Sequence, residues 1–317
     1  MGRDCAFVVF KKEEGKMKKR LLYIGSDYFG ECGLRSILNS HLRGNLDVVG
    51  VITYTLHGGK NLVTSLARAL NIPLFEGDAN SKEAFQWLDK INPEVSAMMK
   101  YPKRLSLEFI NRFKWILNAH PSDLPQLRGG APIEGIILQN KPLCVTVHKV
   151  CEKFDSGLNI FKSRKINIDN RNFYQVYEYA AHLAAESMIS AIEKVLNGFE
   201  GIVQDESQAS YLWLKDIDNL LKICWDKNDV FYIQKQVLAA GPKRGAITEL
   251  TFNERQHLIR VLKARAVAAN HRDPLGKVTV LDNGILRVSA KKGFLLIDDM
   301  LLEDKPVDIL MLREAVL

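Results

Sequence analysis

From Leu21 to Asn197 the chain alternates short apolar runs with amphipathic stretches, and no other feature narrows its possible folds as much. Leu21-Leu22-Tyr23-Ile24-Gly25 has no polar residue on either side of a pleat, so it reads as a strand buried on both faces and ending at a glycine turn. Similar runs recur at Val48–Thr53, Val95–Met99, Trp115–Asn118 and Cys144–Val150, with a short extended piece at Ile72–Phe75. Helical spacing falls between them near Gly33–Leu42, Val63–Leu70, Lys82–Lys90 and Leu105–Phe113. Strand and helix in strict alternation predict an α/β fold, a mostly parallel sheet covered on both faces in the Rossmann manner. A long helix over Asn172–Asn197, apolar at Tyr174, Val176, Tyr177, Ala180, Leu183 and Ala184, closes this unit at Gly198.

Beyond Gly198 the rhythm changes. Gln204–Lys227 reads as a connector, Val230–Ala240 as a further helix, and five strands follow: Ala246–Leu250, His257–Arg265, Lys277–Leu281, Ile285–Val288 and Phe294–Met300. Asp282-Asn283-Gly284 between two of them predicts a hairpin, because Asn and Gly tolerate the positive φ of a tight turn. A small five-strand barrel is the economical reading. A chain of 317 residues can bury two cores, which gives an N-terminal extension over 1–16, a catalytic domain over 17–203, a linker and helix over 204–240, and a barrel domain over 241–317. Met17 offers an alternative start, and the extension carries Asp4, Glu13 and Glu14, whereas transit segments are poor in acids.

Several function classes drop out. Five scattered cysteines (Cys5, Cys32, Cys144, Cys151 and Cys224) without a CxxC pair fit neither a disulfide framework nor a metal site, and they point to a reducing compartment. No apolar run approaches the ~20 residues that cross a bilayer. Gly25, Gly30 and Gly33 lack the GxGxxG spacing of a dinucleotide site, and the GxxxxGK[ST], GxSxG and HExxH patterns are missing. Charge is concentrated instead: Lys235–Lys292 holds twelve Lys and Arg against four Asp and Glu, a local +8 in a chain whose total is +7. Such a surface attracts a polyanion, with a solvated basic face as the plain alternative.

Chemistry gathers in Asn118-Ala119-His120-Pro121-Ser122-Asp123-Leu124-Pro125-Gln126-Leu127-Arg128-Gly129-Gly130-Ala131-Pro132, at the carboxyl end of a predicted strand. Ligands bind there in open parallel sheets. Asn118 and His120 are two apart on an extended segment, so their side chains leave the same face and can converge on one small target. An amide donor and an imidazole that titrates near neutrality can hold an oxyanion. Asp155 follows the next strand, in Phe154-Asp155-Ser156-Gly157, and can orient that imidazole. The prolines and glycines of the motif first of all shape a loop. Arg128 keeps two readings, a cation anchoring that loop or a contact to substrate phosphate. His148 is expected to pack beside the Asp155 loop.

These segments, with Val145-Thr146-Val147-His148 between them, resemble the formyltransferases that use 10-formyltetrahydrofolate, whose pattern is roughly N-x-H-x-S-L-L-P-x-x-R-G-x-x-P followed by a D-x-G loop. The resemblance implies that Asn118, His120 and Asp155 are the catalytic trio. It places the folate donor against Met98, Met99, Lys100, Arg104, Leu105, Val150 and Phe154, and the acceptor near Ser122, Leu124, Pro125, Arg128, Gly129, Lys243 and Arg244. It implies no metal, no membrane and a monomer. Gln204-Asp205-Glu206, Trp225, Gly245-Ala246, Leu262–Ala266, Gly276-Lys277-Val278 and Gly284–Val288 extend it into an OB-like C-terminal barrel, in the order of the branch that formylates initiator methionyl-tRNA. Transfer is expected to be direct, with Asn118 and a protonated His120 on the oxyanion and Asp155 orienting the ring and relaying a proton through water.

Three departures from the pattern stand out. Asp123 replaces an apolar residue, and Gly241-Pro242-Lys243-Arg244-Gly245 replaces a more aromatic turn. Thr53–Lys60 is short where bacterial tRNA enzymes insert a basic segment. That shortness is shared with enzymes that formylate nucleotide-linked amino sugars, the alternative acceptor. Lys153-Phe154-Asp155-Ser156-Gly157 resembles the mitochondrial type, which implies the mitochondrial matrix, with bacterial cytoplasm as the other possibility. A hydrolase releasing formate, or an RNA-binding protein with a decayed site, are rivals of another class; the intact trio argues against decay.

Overall fold

The computed structural model describes residues 17–55, 61–252, 254–281 and 285–306. The extension over 1–16, the segment 56–60 and the Asp282-Asn283-Gly284 turn lie outside the described residues. Seven strands form the first sheet: β1 (Lys19–Gly25), β2 (Leu46–Thr53), β3 (Leu74–Glu76), β4 (Val95–Met99), β5 (Trp115–His120), β6 (Thr146–Lys149) and β7 (Asn159–Lys162). Their spatial order is β3-β2-β1-β4-β5-β6-β7, parallel as far as β5 and antiparallel for the last two pairs. The order reverses between β1 and β4, the topological point at which sheets of this kind form a crevice outside the carboxyl ends of their strands.

Apolar strands produce this arrangement because both faces are covered. On one face Leu21, Tyr23, Met99 and Leu117 pack with Phe29 and Leu34 of α1 (Asp27–Asn39) and with Ala180, Ala184 and Met188 of α6 (Phe173–Leu196). On the other, Leu22, Ile24 and Ile116 pack with Leu88 of α3 (Lys82–Ile91) and Phe109 of α4 (Leu107–Asn111). α2 (Leu62–Ala69) completes the helices around the parallel strands. α6 starts in a capping box between Asn172 and Gln175.

The first helix begins six residues before the expected Gly33. A Cβ on Gly33 would lie 2.3 Å from the Met99 sulfur, so close packing on β4 explains a glycine inside this helix despite its low helix propensity. A helix not anticipated, α5 (Pro132–Leu138), has every residue buried, so it shows no amphipathic period. β7 is only four residues long and was also missed.

The presumed connector contains α7 (Leu214–Leu220), and α8 (Val230–Arg244) runs four residues past the predicted Ala240 through a kink at Gly241. A second, antiparallel sheet follows: β8 (Ala246–Phe252), β9 (Arg255–Ala268), β10 (Val278–Val280), β11 (Leu286–Ala290), β12 (Gly293–Leu302) and the two-residue β13 (Lys305–Pro306). Its order is β10-β11-β12-β9-β8, with β13 on β12, and its edge strands β8 and β10 approach each other as the sheet curls. The five expected strands are all present. Trp225 closes on this sheet, its indole N–H donating to Thr248 Oγ1 at 2.8 Å.

Candidate active site

β5 ends at His120 between parallel β4 and antiparallel β6, with Met98 beside Asn118 on one side and His148 beside Asn118 on the other. The chain returns from β6 through Val150–Gly157, and Lys149 donates its N–H to the Leu158 carbonyl at 2.9 Å. Gly157 lies so close to β6 that a Cβ there would stand 1.8 Å from the Lys149 carbonyl oxygen; only glycine fits. This close approach brings Asp155, itself at φ +51°, over the end of β5.

Three nitrogen-bearing side chains and one carboxylate meet there. Asp155 Oδ2 is 3.6 Å from His120 Nδ1 and Oδ1 is 3.4 Å from His148 Nε2. The Gly129 N–H donates to Oδ2 at 2.9 Å. Asn118 Nδ2 and His148 Nε2 are 3.1 Å apart, and His148 Nδ1 lies 3.0 Å from the Lys149 carbonyl. A carbonyl only accepts, so the His148 proton sits on Nδ1 and Nε2 accepts from Asn118. By the same logic His120, whose Nε2 is 2.8 Å from the Leu127 carbonyl, keeps its proton on Nε2. The orienting partner expected in Asp155 is therefore a backbone carbonyl, and Asp155 faces the ring nitrogen left for chemistry.

Electrostatics follow from burial. Burial pushes Asp155 up, but with both rings protonated the charge of His120, the charge and Nε2–H hydrogen bond of His148 and the Gly129 N–H together hold it well below the usual carboxylate range. Burial dominates for His120 and lowers it, against the upward pull of the Asp155 carboxylate and the Leu127 carbonyl. An ionised Asp155 beside a neutral, 5% exposed His120 is the resting state these directions describe.

Next to the loop, a cavity of about 270 Å³ is lined by Asn80, Arg104, Leu105, Ser106, Leu107 and Glu152. Arg104 Nη2 donates to the Glu152 carbonyl at 2.6 Å, and its guanidinium lies 5.4 Å from the centre of the half-exposed Phe154 ring.

Residues 34–192, half of the chain, match the family model described as formyl transferase, and residues 218–310 match its C-terminal domain. The chain belongs to the formyl transferase family. A methionyl-tRNA formyltransferase from Sulfurihydrogenibium is 26% identical over 288 residues, 86% of each chain. Among solved structures, an N-formyltransferase from Helicobacter canadensis, in complex with folinic acid and dTDP-3-aminofucose, superposes with a TM-score of 0.67 at 19% identity, covering 89% of this chain and 98% of its own. A sugar 3N-formyl transferase, WlaRD, in the presence of dTDP and 5-N-formyl-THF, gives 0.65 at 21% identity over 89% and 97%.

Of the donor-side residues expected in this formyltransferase, Met98, Leu105 and Val150 gather in the core cluster on one face of the sheet, with Arg104 and Phe154 at its edge. Met99 does not join them: it is fully buried on the opposite face, against Tyr23 and Gly33, because adjacent strand residues point to opposite sides. Lys100, at φ +60°, turns away from the strand and lies 5.7 Å from the Tyr177 ring centre.

The residues expected on the acceptor side lie mostly inside the protein. Ser122 and Leu124 are 1% and 0% exposed and Pro125 is buried; the Ser122 hydroxyl donates to the Gln126 carbonyl at 2.7 Å, so these residues build the loop. Arg128 is fully buried, and all five of its N–H groups are used within the protein, on Gln204, Glu206 and Tyr211. This arrangement fits the loop-anchoring reading, with every guanidinium N–H already turned to a protein acceptor. Asp123, which replaces an apolar residue of the pattern, bridges Lys162 at 2.6 Å and Lys165 at 2.9 Å. Lys243 lies 4.9 Å from the Tyr174 ring centre and Arg244 pairs with Asp218 at 2.5 Å. Arg244 and Lys100 both reach the buried Glu134 of α5 electrostatically, opposing the rise that burial gives its carboxyl. Sequence reasoning left Leu127 and Tyr211 without a role, and gave Gln204 and Glu206 none beyond the resemblance; their contacts span up to 83 positions, which no local spacing reveals.

Proposed function

We propose that this formyltransferase moves the formyl group of 10-formyltetrahydrofolate to the amino group of initiator methionyl-tRNA. The observation that carries the reading is the convergence of Asn118, His120 and Asp155 at the carboxyl end of β5, beside a cavity where Leu105 and Leu107 offer apolar walls and Arg104 a cation. A flat pterin with an acidic tail suits that lining.

The acceptor nitrogen attacks the formyl carbon, and the carbonyl electrons move to its oxygen. Asn118 donates an amide N–H to that oxygen. His120 is neutral at rest, so Nδ1 takes the proton the amine must lose and becomes an imidazolium held by Asp155, next to the oxyanion. As the carbon–nitrogen bond to the donor breaks, its electron pair stays on the donor nitrogen, and the proton on Nδ1 returns to it. Atoms and charge balance, and the ring ends as it began.

The tRNA acceptor draws on the C-terminal sheet, whose β9 carries exposed Lys263 and Arg265, and on the tRNA-formylating relative. The catalytic unit is taken as 17–203 and the tRNA-reading unit as 241–317, acting as a monomer. Assignment to the mitochondrial matrix rests on the Lys153–Gly157 loop; bacterial cytoplasm is the alternative, and the relative named above is bacterial.

A nucleotide-linked amino sugar is the second acceptor, favoured by the two sugar formyltransferases that share the fold. Formylation of charged initiator tRNA and of such a sugar, at low and raised salt, separates the two. Transfer to tRNA whose KM rises steeply with salt is expected, because phosphate contacts release counterions. Faster, salt-insensitive transfer to the sugar reverses the choice, and formate release without any amine replaces it with hydrolysis.

A further inference from the structure

The loop that presents Asp155 is held from behind by a side chain remote from the reacting atoms. Gln204 follows α6 in the chain and is 5% exposed. Its Nε2 donates to the Asp155 carbonyl at 2.9 Å and to the Gly157 carbonyl at 2.7 Å. Its Oε1 accepts from Arg128 Nε at 3.2 Å and Nη2 at 2.7 Å. The orientation of the amide is forced, since a guanidinium only donates and a carbonyl only accepts.

Arg128 completes the clamp. Its remaining N–H groups reach Glu206 at 2.6 and 3.1 Å and the Tyr211 hydroxyl at 3.0 Å. The next residue, Gly129, supplies the N–H that holds the Asp155 carboxylate at 2.9 Å. One glutamine thus binds Asp155 at both ends, directly at its backbone and through Arg128 and Gly129 at its carboxylate. The restraint matters because Asp155 has φ +51°, a left-handed conformation that Asp tolerates better than most residues but that still costs energy relative to helical or extended backbone.

We infer that Gln204 is a positioning residue for formyl transfer: it sets the Asp155 carboxylate against the imidazoles of His120 and His148 without touching either substrate. The kinetic part of the inference rests on the reading above. The structural part does not.

Two variants test it. Gln204→Glu keeps an acceptor for Arg128 but has no N–H for the two loop carbonyls. Arg128→Lys keeps the buried charge but loses the two-pronged hold on Gln204. In each, kcat is expected to fall about 10-fold or more, equivalent to about 1.4 kcal/mol, while KM for donor and acceptor stays within about two-fold. The groups facing His120 are Asp155 on the loop and His148 on β6, with the Leu127 carbonyl at Nε2. Asp155 raises the His120 value, so loosening it lowers that value, and the acid limb of kcat moves to lower pH together with the His120 titration seen by imidazole NMR.

The NMR measurement needs no substrate, so it reads loop positioning even if formyl transfer is the wrong reaction. Folded Gln204→Glu and Arg128→Lys proteins with wild-type kcat and an unmoved His120 titration overturn the inference. So does a loss confined to KM. Should one variant fail to fold, the other decides.

Discussion

His120 Nδ1 stands 3.6 Å from Asp155 Oδ2 while the other ring nitrogen is bound to the Leu127 carbonyl at 2.8 Å, so a single imidazole nitrogen is left to exchange protons. That nitrogen is the one facing the carboxylate. His120→Ala removes both the proton acceptor and the cation that forms during transfer; loss of one such stabilising group costs about 3 kcal/mol, or roughly 100-fold in kcat. One buried backbone carbonyl loses its partner, which costs about 1–3 kcal/mol and moves Tm by several degrees without unfolding the protein. Steady-state kinetics beside a thermal melt check both halves, and wild-type turnover in a folded His120→Ala protein removes His120 from the mechanism.

The same pair fixes a pH dependence. Burial holds His120 below its ordinary value of about 6.5, so the neutral ring needed to take a proton persists into mildly acidic solution, and kcat falls only below that range. Asp155→Asn removes the carboxylate that opposes burial, so the His120 titration moves lower still while kcat drops. Stability has its own sign. The folded value of Asp155 lies below its unfolded value, so its stabilising contribution is complete above about pH 4 and disappears as pH falls through the folded value. Asp155→Asn should flatten stability against pH below about 4 in urea titrations; an unchanged slope argues against an ionised Asp155.

His148 extends the site to a second imidazole. Its Nε2 accepts from Asn118 at 3.1 Å, which fixes the amide that must meet the formyl oxygen. His148→Met removes that acceptor and leaves a side chain of similar bulk. Loss of one hydrogen bond of about 1 kcal/mol to a positioned donor should lower kcat by roughly 5- to 10-fold with KM for the donor unchanged. A rise in donor KM at constant kcat would assign His148 to folate binding instead.

Much of this was legible before the fold was known, for physical reasons that differ by element. β1, β2, β4 and β5 lie where continuous apolar runs placed them, because burial on both faces leaves no alternation to misread. α5 escaped because a helix buried all round has no polar face. Asn118 and His120 could be paired from a spacing of two. The link from Gln204 to Gly157 spans 47 positions, and Arg128 to Tyr211 spans 83, so only the folded chain shows that Arg128 faces inward. Met99 shows a finer point. Its neighbour Met98 packs on the face of Leu105 and Val150, and strand alternation alone could have sent Met99 to the other face.

Two glycines separate packing from propensity. A Cβ at Gly157 would sit 1.8 Å from the Lys149 carbonyl oxygen, a backbone atom fixed in β6, whereas a Cβ at Gly44 would meet nothing within 4 Å. Gly157→Ala can be accommodated only by lifting the loop off β6, which breaks the N–H bond from Lys149 to the Leu158 carbonyl and carries Asp155 away from both imidazoles. Forced overpacking of this kind costs about 1–3 kcal/mol, and the displaced carboxylate should cost at least another 10-fold in kcat. Gly44→Ala should leave both quantities near wild type, or raise stability by about 0.4–1 kcal/mol through the unfolded chain. Differential scanning calorimetry and kcat on the two proteins, side by side, give the answer; equal behaviour of the pair would mean that the loop is not seated on β6 as described.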